Sequence, residues 1–77
     1  MPKLTNTEKT FLEIARTMNR EFSVRSKSFS EAFGGGLIGM TYSIEAYQGL
    51  ANKGVIVITD RDFSGDATKA VISKKFN

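Results

Sequence analysis

Cysteine, histidine and tryptophan are all missing from this chain, and it has a single proline. Without cysteine there is no disulfide framework and no thiolate metal site to reinforce a small core. Without histidine the commonest general base and the commonest transition-metal ligand are gone, which excludes histidine-dependent hydrolase triads and most zinc centres. No apolar run approaches membrane-spanning length, and the opening residues Met1, Pro2, Lys3, Leu4 and Thr5 lack the apolar stretch of a signal peptide. A cytoplasmic protein without membrane contact is the expectation. The remaining hydroxyls, lysines and carboxylates form no nucleophile and base pair at a useful spacing, so neither an enzyme nor a cofactor is expected.

What is present is ordinary for a folded domain. The 77 residues are 40% hydrophobic and 25% charged, enough for one domain over 1–77 and too few for two. Formal net charge is +3, from eleven basic and eight acidic residues that are interspersed along the chain, so any cationic surface must be assembled by folding.

The pattern predicts α+β structure: three helices, then a two-stranded hairpin. Thr5 and Glu8 have the spacing of a capping box, and Phe11, Leu12, Ile14, Ala15, Met18 and Phe22 follow at helical spacing, predicting a first helix to about Glu21. The polar 23–27 segment is a connector able to pair as a brief strand, a short third strand near 23–26. Ser28 and Glu31 repeat the capping-box form for a short second helix that stops at Gly34. The glycine-rich 34–39 segment reads as a turn carrying two buried aliphatic side chains, Leu37 and Ile38. Met40, Ile44, Tyr47 and Ala51 then mark the inward stripe of a third helix near 40–53, closed by Gly54. The β-branched 55–59 run predicts a strand, 60–66 a polar turn, and 68–76 a returning strand with Ala70, Ile72 and Phe76 inward.

The segment GMTYSIEAYQGLANKGVIVI at 39–58 resembles the recognition helix and first wing strand of the winged helix-turn-helix superfamily. The order of elements over nearly the whole chain is similar to it as well. The resemblance implies a three-helix domain with a C-terminal β-hairpin wing, serving a DNA-binding regulator or a protein-docking module.

On that resemblance, the third helix and the wing near 59–69 are the candidate surface for double-stranded DNA. Rotation of 100° per residue places Tyr42, Glu45, Ala46, Gly49, Asn52 and Lys53 opposite the inward stripe. Asn52 suits adenine, Glu45 suits the cytosine amino group, and Lys53 and Tyr42 suit phosphates. Arg61 and Lys69 in the wing, with Arg25 and Lys27 before the second helix, add phosphate contacts. One domain this small contacts few phosphates, and a homodimer would supply more. The alternative is docking on a larger protein, with Tyr42 and Phe63 as aromatic anchors and Ala46 and Gly49 allowing close approach.

Two motifs carry less than their form suggests. Gly34, Gly36 and Gly39 satisfy G-x-G-x-x-G, but a capped helix rather than a strand precedes them. Asp60, Asp62, Ser64 and Gly65 open like a calcium loop, but Val71 stands where the closing glutamate belongs. Turn chemistry accounts for both, and no metal is expected.

Overall fold

A computed structural model describes residues 3–18 and 20–76. Helix α1 is Asn6–Ala15, strand β1 Phe22–Ser23, helix α2 Lys27–Ala32, helix α3 Gly36–Asn52, strand β2 Ile56–Arg61 and strand β3 Ala67–Ile72, with a closing 3-10 turn at Lys74–Phe76. The three strands form one antiparallel sheet in the order β1-β3-β2, with Phe22 opposite Ala70 and Ile56 opposite Ile72.

The capping box forms as the sequence dictates: the Glu8 amide donates to the Thr5 hydroxyl at 3.1 Å, and the Thr5 amide donates to the Glu8 carboxylate at 2.8 Å. Helix α1 ends well before Glu21. At Ile14 the chain tightens into a turn, its carbonyl accepting the Thr17 amide at 3.0 Å and the Thr17 hydroxyl at 2.7 Å. That early stop frees Phe22 to enter β1, where the Val24 amide also donates to the Thr68 carbonyl at 3.1 Å. The brief third strand therefore exists, just ahead of its expected place. Helix α2 starts behind Ser26, two residues earlier than the Ser28 spacing predicted, and its cap makes no side-chain hydrogen bond.

Aromatic rings fill the centre. Phe11 stacks on Phe29 with centroids 4.0 Å apart and planes 9° from parallel, while Phe22 meets Phe11 edge-on at 6.1 Å. Tyr47, Leu50, Val24, Val55, Ile56, Ala67 and Ala70 close the core around them. Each phenylalanine, leucine, isoleucine or valine among them taken from water stabilises the fold by roughly 1.5–3 kcal/mol, so a chain with no disulfide depends on all of them.

Helix α3 presents a different face to this core from the one predicted. Its buried positions are Gly39, Ser43, Ala46, Tyr47 and Leu50, while Met40 and Ile44 are only half-buried. Small residues let the helix lie close to its neighbours. A Cβ on Gly39 would lie 3.0 Å from the Ser30 carbonyl carbon of α2, and one on Gly49 would lie 3.0 Å from the Glu8 carboxyl carbon of α1. The Ser43 hydroxyl is fully buried and donates to the Val24 carbonyl at 3.4 Å.

Leu37 and Ile38, expected in a buried turn, instead occupy the first turn of α3 and are 88% and 69% exposed. Gly34, Gly35 and Gly36 all take positive φ, reversing the chain so that α3 starts at Gly36, four residues before the Met40 that opens its expected apolar stripe. The returning strand stops at Ile72, and Phe76 reaches the core from the 3-10 turn. β3 is central, so Lys69 does not protect an open edge as an edge-strand lysine would.

Candidate functional site

The basic residues expected on a DNA surface are largely engaged within the fold. Arg25 lies 3.1 Å from Asp66 and 3.9 Å from Asp62, tying the β1–α2 connector to the β2–β3 loop. Lys27 pairs with Glu31 at 3.6 Å, one helical turn along α2. Lys69 lies 3.9 Å from Glu21, and Glu21 also accepts from the Thr59 hydroxyl, which makes a polar ladder across the sheet. The Arg61 guanidinium donates to the Gly65 carbonyl at 3.0 Å.

Lys53 departs furthest from its expected role. Its ammonium forms an ion pair with Glu8 and donates to the Lys3 carbonyl at 3.0 Å, so the end of α3 grips the start of α1. Burial alone would raise the Glu8 carboxyl, but the Lys53 ammonium and the Thr5 amide outweigh it and hold the group below its ordinary value. Gly49 has no Cβ because the Glu8 carboxylate lies across that point of α3.

Ala46 and Gly49 therefore do not form an outward small-residue patch. Ala46 is 1% exposed in the core, and the half-buried Gly49 faces the Glu8 side chain of α1. Tyr42, Glu45 and Asn52 are exposed on α3, as expected. Phe63 stands fully exposed at the tip of the β2–β3 loop.

That loop is organised by Asp62, whose Oδ1 accepts the Ser64 amide at 3.0 Å, the Ser64 hydroxyl at 2.8 Å and the Asp66 amide at 3.0 Å. The Ser64 hydroxyl, with those amides and Arg25, holds the Asp62 carboxyl below its ordinary value. The calcium-like spacing is thus used for a turn. Among the described residues no group of three or more carboxylates is placed to hold a metal ion, and no helix is long and apolar enough to cross a membrane.

Two features were not anticipated. The first is the exposure of apolar side chains at the start of α3, where Leu37 and Ile38 are followed one turn on by Tyr42, itself 47% exposed and 6.5 Å from the Phe33 ring. The second is a cleft of about 210 Å³ between the C-terminal half of α3 and the hairpin, lined by Tyr47, Gln48, Ala51, Asn52, Ile58, Arg61 and Ala67. A signal for the first was present: Gly39, Ser43, Ala46 and Leu50 recur at spacings of four, three and four, and reading them as the packed stripe turns Leu37 and Ile38 outward. The cleft had no local signal, since its two walls are joined only by tertiary packing. Compared with known proteins, the chain matches no family model, no curated protein and no solved structure.

Proposed function

We propose that this chain is a non-enzymatic protein-docking module of winged-helix architecture, which engages a larger protein through the outward face of α3. One observation carries the reading: Leu37, Ile38 and Tyr42 are all exposed within the first two turns of that helix. Three large apolar side chains in water on one and a half turns are costly to solubility, and apolar patches rimmed by polar groups characterise interaction sites. The partnered state of Arg25, Lys27, Lys53 and Lys69 supports it from the other side, because cations held by carboxylates of the same chain offer a phosphate backbone less.

The test is capture of partners from the native host with the intact chain and with Leu37→Asp/Ile38→Asp. A protein retained after nuclease treatment, and lost with the double substitution while thermal unfolding is unchanged, is the expected result. Retention that ignores the substitution, or that disappears with the nucleic acid, refutes the reading. Sedimentation of the same two proteins separates a foreign partner from a homodimer on this face.

A DNA-binding regulator is the second reading, favoured by Lys74 and Lys75, which are exposed and make no ion pair among the described residues. It requires duplex affinity that falls steeply with added salt and weakens on Lys74→Ala/Lys75→Ala. Salt-independent binding, or none at low salt, excludes it.

A further inference from the structure

We infer that the cleft between α3 and the hairpin is a receptor for one carboxylate side chain, supplied by an acidic residue of the docking partner. The inference deepens the protein-docking reading in naming that partner's chemistry, but the site is separate from the Leu37 and Ile38 face. At about 210 Å³ the cleft has room for a single side chain and not for a drug-sized ligand.

Its walls are chemically divided. Ala51, Ile58 and Ala67 supply apolar lining for the methylenes of an incoming side chain, and Gln48, Asn52 and Arg61 supply the polar groups. The lining holds one cation and no carboxylate, so the complementary ligand is an anion.

The donors are also uncommitted. Among the described residues the Gln48 and Asn52 amides make no side-chain hydrogen bond, and Arg61 uses only Nη1, toward Gly65. That bond fixes the guanidinium while leaving its other N–H groups for a carboxylate, the planar partner that a guanidinium fork matches. The hairpin acids do not occupy the same donors: Asp62 and Asp66 turn to Arg25, and Asp60 accepts the Arg61 main-chain amide at 3.0 Å.

The experiment is a titration of the isotope-labelled full chain, followed by amide chemical shifts. The probes are N-acetylglutamic acid α-amide, the matching N-acetylglutamine α-amide, and inorganic phosphate. Saturable shifts confined to Gln48, Asn52, Ile58, Arg61 and Ala67 are expected with the glutamic probe, with a dissociation constant on the order of millimolar for so small a ligand. The glutamine probe should bind at least about tenfold more weakly, as should the glutamic probe to Arg61→Gln. No saturable shift up to roughly 50 mM, equal response to both amides, or saturation by phosphate in preference to the carboxylate overturns the inference.

These outcomes do not depend on whether Leu37→Asp/Ile38→Asp abolishes partner capture. Loss of capture with an unresponsive cleft would leave docking intact and remove the carboxylate site. A responsive cleft without capture would do the reverse.

Discussion

Gly49→Ala should destabilise this protein, although the same change in an ordinary helix interior stabilises by about 1 kcal/mol. The new methyl would be built onto the Glu8 side chain, 3.0 Å from its carboxyl carbon and closer still to an oxygen. A flexible carboxylate on a surface would swing aside. This one is 6% exposed and held by the Thr5 amide and Lys53, so displacement removes both bonds. Loss of the capping box costs about 1 kcal/mol. Loss of the charge-assisted bond costs about 1–1.5 kcal/mol, at the low end because Lys53 retains 30% exposure and can rehydrate. Residual overpacking adds about 1 kcal/mol. After the helix-propensity gain is subtracted, the net is about 2 kcal/mol of destabilisation, a fall in Tm of roughly 10 °C for a domain of this size. Urea and thermal unfolding followed by circular dichroism measure it. The decisive comparison is the same substitution in a Glu8→Ala background, where nothing blocks the methyl and about 1 kcal/mol of stabilisation should return. Stabilisation by Gly49→Ala in the unaltered protein, or additive effects of the two substitutions, would refute the reasoning.

The depressed Glu8 carboxyl implies that its share of stability is complete above the ordinary carboxyl value of 4.5 and is lost as pH falls through the lower folded value. Urea midpoints should therefore decline on acidification through that window, less steeply in Glu8→Gln, and equal slopes would exclude the linkage. Phe29→Ala removes the ring stacked 4.0 Å from Phe11 and should cost about 3–5 kcal/mol, most of what a 77-residue domain has. Cooperative unfolding within about 1 kcal/mol of the parent would show that the aromatic centre is not the main support.

The elements legible in the sequence were those with local chemistry. Thr5 and Glu8 announced a helix start, Gly54 a stop, and the β-branched run before the Asp and Gly turn a hairpin. The orientation of α3 was not legible by hydrophobicity, because the packed stripe opens on Gly39, Ser43 and Ala46 before it reaches Tyr47 and Leu50, while Leu37 and Ile38 lie outside. Close packing against Ser30 and Glu8 selected small side chains there; their spacing was a signal, but what they pack against is visible only when all three helices are in place. The same holds for the expected DNA surface. Lys53 has no acidic neighbour in sequence to signal that Glu8 takes it inward, nor does Arg25 show that Asp62 and Asp66 belong to it.

The bond between Glu8 and Lys53 also bears on the time course of folding. The two residues stand 45 apart, so joining them closes a loop whose entropy costs about 3 kcal/mol before the contact returns anything. Such a contact is expected to form late, after the helices have collapsed around the phenylalanine rings. Breaking it should leave the folding rate nearly unchanged and accelerate unfolding, making this ion pair a latch on the lifetime of the native state rather than a seed for reaching it.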